Sequence, residues 1–410
     1  MIKTYVANDA GNDSVKAELD GQLFEMPSVI AIQGSQDITE PVSFDNKEAE
    51  KTYMMDFMNH MDVSISSSSI KEQRRLLVGR AAVDSQLQLT GFDMSDLSGK
   101  SETDLTLVLT LSMIAGYSVK RAYKAGESLS EPLKVETVMT TALPISEGKQ
   151  PGVIESYKNK YLNHTHVVTF HNFKDPITVS ITFSRVEVGL EGEMAQVAIR
   201  NGKLVDKLEN VLFDELQHKY PDIADKAKFS DIANAHCSLG IDVGGKTVDL
   251  ALVNDGRVNS KTSVSLMRGF DNVLQSVIDE LQTSTQHRYS FNSIAQLQNF
   301  LAHPNPFANN ARKDVVNTIK MFTEPFADQI VQATSKVLRQ SGSSVMIIFL
   351  YGGGSITMTS YSQLVAKLTE KTASFNGGQA IPVLVIPPKF AQRMNLFGLQ
   401  LYLQALKDNG

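Results

Sequence analysis

Asp9-Ala-Gly-Asn-Asp-Ser-Val-Lys16 and Asp242-Val-Gly-Gly-Lys-Thr-Val-Asp249 are two copies of one short phrase, written far apart in the same chain. Each follows an apolar stretch, and each runs on into another: Val15-Lys-Ala-Glu-Leu19 in the first copy, Val248-Asp-Leu-Ala-Leu-Val253 in the second. Apolar runs on both sides of a short glycine-bearing break predict a tight β-hairpin with an aspartate at its mouth. Two such hairpins facing each other across a cleft would offer backbone N–H groups to a polyphosphate and two carboxylates to its metal ion.

The bulk composition suits a folded chain of two domains. At 410 residues the chain exceeds what one core comfortably fills, since single cores stop growing near ~250–300 residues. A net charge of −6 argues against a general nucleic-acid coat, because neutralising phosphates needs a basic surface. The single cysteine, Cys237, excludes an intrachain disulfide and suits a reducing cytoplasm. Ahead of an apolar strand, it reads as a small core residue. The start, Met-Ile-Lys-Thr-Tyr-Val, lacks the basic head and apolar core of a signal peptide. No apolar run reaches the ~18 residues that would suggest a membrane span.

Around the hairpins, strands and helices alternate, which predicts an α/β fold. Both halves read in one order: strand, glycine hairpin, strand, strand, helix, strand, helix. The first lobe is expected over residues 1–200, with a C-terminal helix at about 388–410 returning to it. The second lobe is expected over 236–387. Between them, residues 201–235 read as a linking helical insertion, with Leu204, Leu208, Leu212 and Leu216 along one amphipathic face over 201–231. Residues 33–70 are polar and irregular, end in the serine run Ser66-Ser-Ser-Ser69, and read as a surface excursion.

Several residues carry chemistry. Asp9 and Asp242, at strand ends beside a phosphate loop, suit a Mg²⁺ ion held through waters, because Mg²⁺ keeps most of its hydration shell. One hairpin alone reads first as an aspartate capping a turn; the matched pair, with its matched apolar flanks, favours the metal reading. Gly11, Gly244 and Gly245 permit close approach of backbone to phosphate oxygens. Asn12, Ser14, Lys16, Lys246 and Thr247 add side-chain donors, and Asp13 an acceptor. Gly352, Gly353 and Gly354 end the buried strand Val345-Met-Ile-Ile-Phe-Leu-Tyr351, with Ser355 following. Such a loop lets backbone pack flat against a purine and ribose, and strand-end loops are where α/β folds bind ligands. It is not a P-loop, since no G-x-x-x-x-G-K-[ST] spacing occurs. In Val186-Glu-Val-Gly-Leu-Glu191, Glu191 falls at a strand-to-helix turn, where a carboxylate can orient a water. By the residues alone, Glu191 or Glu193 reads as a helix-start carboxylate favoured by the macrodipole, and only the family pattern given below raises Glu191. His164, His166 and His171 lie close in sequence, but His171 falls on the other strand face and no further ligand is evident.

The order of these motifs resembles the actin-like ATPase superfamily of actins, heat-shock chaperone ATPases and sugar kinases. The phosphate hairpins are Asp9 to Lys16 and Asp242 to Asp249, the first connecting element lies near Val186 to Ala195, the adenosine motif is Phe349-Leu-Tyr-Gly-Gly-Gly-Ser355, and the second connecting helix lies near 388–403. Within the superfamily the chain looks most like the bacterial plasmid-segregation actins, the ParM group. Val138-Met-Thr-Thr-Ala-Leu-Pro144, Val186-Glu-Val-Gly-Leu-Glu191, Ser263-Val-Ser-Leu-Met-Arg-Gly-Phe270 and the closing Pro388-Lys-Phe-Ala391 with Asn395-Leu-Phe-Gly398 carry that likeness.

The resemblance implies a two-lobed actin-like fold (a ribonuclease H-like repeat) with ATP, or alternatively GTP, and Mg²⁺ in the interlobe cleft. It implies a cytoplasmic filament that polymerises on nucleotide, hydrolyses it and segregates plasmid DNA. The partners would be further copies of the chain and a DNA-binding adaptor, with no direct nucleic-acid or membrane contact. Carried over by position, Asp9 and Asp242 organise Mg²⁺, Glu191 positions the hydrolytic water, the hairpin tips hold the phosphates, and the three glycines flank adenosine. A monomeric sugar-kinase-like or chaperone-like ATPase of the same fold, and a phage genome-positioning filament, stand as alternatives. Ala10 departs from the second acidic or aromatic residue of many relatives, and Leu190 from their proline.

Overall fold

The computed structural model describes residues 1–92, 99–284, 289–303, 309–342 and 344–408. The chain forms two compact units, Met1–Leu190 with Leu399–Gly410, and Glu191–Gly398. The first unit thus ends at Leu190 rather than at residue 200, and residues 201–235 fall within the second. Residues 409–410 of the expected C-terminal segment lie outside the described residues.

The first unit is built on a ten-stranded sheet. Its strands are β1 (Ile2–Ala10), β2 (Ser14–Leu19), β3 (Gln22–Pro27), β4 (Ile30–Ile32), β5 (Asp62–Ser66), β6 (Arg75–Val78), β7 (Leu89–Thr90), β8 (Leu133–Leu143), β9 (Thr165–Phe170) and β10 (Ile177–Leu190). They lie in the order β3-β2-β1-β8-β10-β9-β5-β6-β4-β7. The helix Asp104–Ala125 packs on this sheet, buried on nearly all sides from Leu105 to Val119. Thr103 caps its start by accepting from Leu105 N, and Gly126, at φ 71°, ends it in the left-handed conformation.

Residues 33–70 are not an irregular excursion. They contain the helix Lys47–Asp56, a 3₁₀ turn over Phe57–Asn59 and β5, which pairs with both β6 and β9 inside the sheet. Asn46 caps the helix by accepting from Glu48 N and Ala49 N. Met54, Phe57, Met58, Met61, Val63 and Ile65 are buried. These few apolar residues are diluted by polar neighbours that face outward, which hides the strand in the sequence. Ser64 and two serines of the run meet the histidines across this part of the sheet. Ser67 Oγ lies 2.8 Å from His166 Nδ1, Ser68 Oγ 3.0 Å from His164 Nδ1, and Ser64 Oγ 2.8 Å from His171 Nε2.

The second unit carries β11 (Cys237–Val243), β12 (Val248–Asn254), β13 (Arg257–Val258), β14 (Val264–Leu266), β15 (Ile347–Tyr351) and β16 (Val383–Val385). Their order is β13-β12-β11-β15-β16, with β14 also paired to β12. This repeats β3-β2-β1-β8-β10 of the first unit, direction for direction. In each unit the hairpin strands are antiparallel, and the next two strands join in parallel. The alternation of β11 and β12 decides the faces. Leu239, Ile241, Val243, Val248, Leu250 and Leu252 join a core with Val273, Leu274, Val277, Ile319 and Ile330 of the helices Phe270–Ser284 and Asn309–Gln340. Ser238, Gly240, Asp242 and Asp249 occupy the opposite face.

The expected single amphipathic helix over 201–231 is instead three short helices, Leu208–Lys219, Pro221–Ala224 and Phe229–Ala233, behind a turn. Asp206 and Lys207 sit at φ 42° and 61° and break the first turn away. Pro221 then stops the helix that follows. Leu208, Leu212 and Leu216 are buried as the spacing predicts, but Leu204 is 73% exposed. Between β13 and β14 the chain turns, with Ser263 N donating to Asn259 O.

Candidate functional site

The two hairpins fold to one register. Asp9 pairs with Lys16 and Ala10 with Val15; Asp242 pairs with Asp249 and Val243 with Val248. Each tip is tied back through its carbonyls. In the first unit, Ser28 Oγ donates to Gly11 O at 2.7 Å and Ser28 N to Asp13 O at 2.9 Å. In the second, the opening amides of the helix Phe270–Ser284 do the same work: Phe270 N donates to Gly244 O at 2.9 Å and Asp271 N to Gly245 O at 3.0 Å. A trans peptide points its C=O and the next N–H in opposite directions. The N–H groups of Asn12, Ser14, Gly245 and Lys246 are therefore turned away from the groups that anchor the carbonyls. A run of amides aimed outward from a turn is an anion-binding concavity.

Glycine is needed where these tips are tightest. A Cβ on Gly11 would fall 2.6 Å from Ser14 O, and one on Gly269 would fall 2.0 Å from Gly245 O. Gly269 thus lets the helix start lie directly against the second tip.

Within the first unit, Asp9 is half-buried, and burial pushes its carboxyl above the usual carboxylate range, with Lys16 and Lys100 pulling the other way. Asn12 Oδ1 is buried and has no hydrogen-bond partner in the protein. Ser14 Oγ donates to Glu25 Oε1 at 2.9 Å, and Asp13 is exposed. Sequence reasoning overlooked Lys100. Its backbone N–H donates to Glu147 Oε1 at 3.0 Å, which fixes the loop that brings this cation near Asp9.

The second unit gathers the other carboxylates. Asn395 Nδ2 donates to Asp242 Oδ2 at 3.1 Å, while Asn395 Oδ1 accepts from Gly192 N at 3.0 Å. One side chain from the last helix, Met394–Asp408, thereby ties Asp242 to the turn that carries Glu191. Gly192 holds that turn at φ 80° before the helix Glu193–Arg200 begins. Gly398, one turn along from Asn395, lets the helices touch; a Cβ there would fall 1.9 Å from Met194 O. Asn395 and Gly398 both stand in the closing segment read from the sequence, but no role for Asn395 was legible there.

Gly352, Gly353 and Gly354 do different work. Gly352, at φ 90°, brings the end of β15 against Asp242: a Cβ would lie 2.3 Å from Asp242 Oδ1 and 2.6 Å from Val243 O. Gly353 already begins the helix Gly353–Tyr361. Gly354 must be small because Phe270 Cβ stands 2.6 Å from where its own Cβ would be. Ser355 is fully buried and donates to Gly352 O at 2.8 Å, pinning the helix start. Thr247 Oγ1 donates to Asp249 Oδ2 at 2.8 Å, so its proton is taken within the hairpin. Ser265 Oγ also donates to Asp249, which is only 3% exposed. Tyr351, opposite Asp242 in register, is fully buried; burial pushes its phenol well above the usual range, and Asp242, Asp249 and Glu191 add to the effect.

Among the described residues, no group of three or more His, Cys, Asp or Glu side chains is placed to hold a metal ion by itself. A hydrated ion shared with phosphate oxygens makes smaller demands, because Mg²⁺ is usually bound by one or two carboxylates plus waters and phosphates. Within the first unit, the orphaned Asn12 Oδ1 fits a contact to a group of that kind. Among the described residues, no helix is long and apolar enough to cross a membrane.

The fold that these hairpins and sheets define is actin-like. Residues 240–361 match the family model for the C-terminal part of archaeal MreB-like actin homologues. The actin-like protein Alp7A superposes with a TM-score of 0.70 at 18% identity, covering 100% of this chain and 98% of that one. A Bacillus thuringiensis ParM solved with ATP gives 0.61 at 14% identity, covering 99% and 100%. A pCBH ParM described as a non-polymerisable quadruple mutant gives 0.56 at 15% identity, covering 98% and 99%. No curated protein matches the chain in sequence.

Proposed function

We propose that this chain is an ATPase that assembles into filaments on binding nucleotide and moves plasmid DNA through a separate DNA-binding adaptor. The observation that carries the reading is the doubled hairpin, with the same register and the same sheet order around each copy. The ATP in the Bacillus thuringiensis ParM structure and the mention of polymerisation for the pCBH ParM support it by likeness of fold.

In this reading the outward amides of the tips, with Gly11, Asn12, Asp13, Ser14, Lys16, Gly244, Gly245, Lys246 and Thr247, take the phosphates. Gly352, Gly353 and Gly354 flank the nucleoside, with Ser355 fixing the turn. Asp9 and Asp242 hold Mg²⁺ through waters. When bound, that ion neutralises charge on the phosphate oxygens. Glu191 orients the attacking water; phosphoryl transfer asks for positioning more than for a strong base, which suits a carboxylate fixed on a turn.

Light scattering and electron microscopy of the purified chain with ATP, with GTP and without nucleotide test the proposal. Filaments that appear with one nucleotide and disassemble as phosphate is released are expected. Flat scattering with both nucleotides across a broad protein concentration range would overturn it.

A further inference from the structure

The turn and short helices over 200–234 enclose an open cleft of ≈ 790 Å³ on the second unit. Its apolar wall is Phe213, from the helix Leu208–Lys219, and Phe229, which starts the helix Phe229–Ala233. Both rings are half-buried, and neither packs on the core of that unit. The wall is built into the backbone. Gly202 lets the turn close on it: a Cβ there would fall 3.0 Å from Phe229 Cζ and 2.9 Å from Glu209 N. Asp206 and Lys207, at φ 42° and 61°, then lift Leu204 off the buried leucine face and leave it exposed on the cleft. Non-glycine residues in that region are strained, and such strain collects at ligand clamps. Arg200, Lys203 and Lys228 surround the same cleft, and among the described residues that line it Glu209 is the single acid. Among the described residues, none of these three cations has a carboxylate partner. The Arg200 guanidinium is seated over Gly256, where a Cβ would fall 1.9 Å from Nη1, while both lysines are exposed.

We propose that this cleft binds a small amphiphilic anion, an organic acid with an aryl or branched alkyl body. Small-molecule clefts hold roughly 300–1,000 Å³ and are lined by apolar and aromatic side chains with a few convergent polar groups; this one fits on both counts. The apolar body lies on Phe213 and Phe229 and covers Leu204. The anionic head meets the cations. A planar guanidinium takes a carboxylate or sulfonate through two parallel N–H donors, and each ammonium adds a point charge. The two halves of the site define the class together. A neutral apolar molecule leaves three cations unused, and a bare inorganic anion leaves the rings wet. The site lies in the second unit alone and is independent of the ATPase reading.

Anilinonaphthalene sulfonate, an aryl body with one anionic head, is the probe, titrated into the full chain with and without ATP. Fluorescence and calorimetry are expected to show one saturable site per chain, unchanged by ATP; no saturable binding overturns the site. Phenylnaphthylamine, the same rings without the sulfonate, is expected to bind about tenfold more weakly, because the charge-assisted contacts are gone. Equal affinity overturns the anionic head. Lys203→Glu and Lys228→Glu change exposed side chains and leave the fold intact, and each is expected to weaken the probe about threefold to tenfold. Wild-type affinity in both variants overturns the location. Phe229→Ala, checked for an unchanged circular dichroism spectrum, is expected to weaken the probe as well. Hexaglutamate, which has charge without an apolar body, is expected not to displace the probe; displacement would make the cleft a surface for acidic peptides and overturn the small-ligand proposal. Every readout is a binding measurement, so it decides the site whether or not the chain hydrolyses nucleotide.

Discussion

Asn395 and Asp242 are joined by a 3.1 Å hydrogen bond from amide to carboxylate, and the same amide accepts from Gly192 beside Glu191. Residues distant in sequence thus share one link, and its failure should be felt at both carboxylates. Asn395→Ala is expected to slow nucleotide hydrolysis by about 10- to 100-fold, as loss of an outer-shell partner typically does. It should also weaken Mg²⁺-dependent nucleotide binding. Phosphate release and a nucleotide titration check both; wild-type rates would remove the link from the mechanism.

Glu191→Ala separates hydrolysis from binding. With no carboxylate to orient water, the rate is expected to fall about 10²- to 10⁴-fold, while affinity for nucleotide and assembly persist. Filaments followed by light scattering should then outlast those of the wild type. Loss of binding instead would reassign Glu191.

Gly352→Ala places a methyl group 2.3 Å from Asp242 Oδ1, at a backbone φ of 90° that side chains rarely adopt. The strain is expected to cost about 1–3 kcal/mol of stability and to displace Asp242. Gly353→Ala meets its nearest atom only at 3.6 Å, on the flexible Gln392 side chain, and should be mild. Chemical denaturation of the two variants should rank them in that order.

Asp9 carries a stability penalty of its own. Burial raises its pKa in the folded state, so its contribution favours the fold at low pH and is lost as pH rises through the folded value. Asp9→Asn is expected to raise the Tm of the nucleotide-free protein at neutral pH, while weakening Mg²⁺–nucleotide binding. A lowered Tm would show that Lys16 and Lys100 outweigh the burial.

His166 works in the opposite direction. Burial lowers its pKa below the ordinary 6.5, with its ring held between Ser67 Oγ and Tyr161 O. The unfolded chain takes up that proton first, so stability is full above about pH 6.5 and falls as the pH drops below it. His171, lowered by burial and by Arg75, adds to the same slope. His166→Asn should flatten the decline of Tm between neutral and mildly acidic pH, leaving the part due to His171. An unchanged slope would mean that His166 takes up its proton as readily in the fold as in the unfolded chain.

Both hairpins, the strands that follow them and the triple glycine could be read from the chain because each is local. Alternation over a few residues sets a strand, and a glycine-bearing break sets its turn. Residues 33–70 failed that reading because β5 alternates only briefly, and its burial comes from strands remote in sequence. The helices over 201–233 failed it because two left-handed residues, Asp206 and Lys207, interrupt an otherwise regular leucine spacing.

What only the tertiary structure decided is which polar groups meet. Composition and spacing placed Asp242, Glu191 and the three glycines at strand ends, and the doubled phrase gave the repeat its form. That Asn395 spans two of these groups, that Ser355 faces inward, that Thr247 spends its proton on Asp249 and that Tyr351 stands with an unpaired hydroxyl over Gly240 depend on long-range contacts. A hydrogen bond is made at about 3 Å or hardly at all, and periodicity along a chain fixes faces, not distances between remote residues.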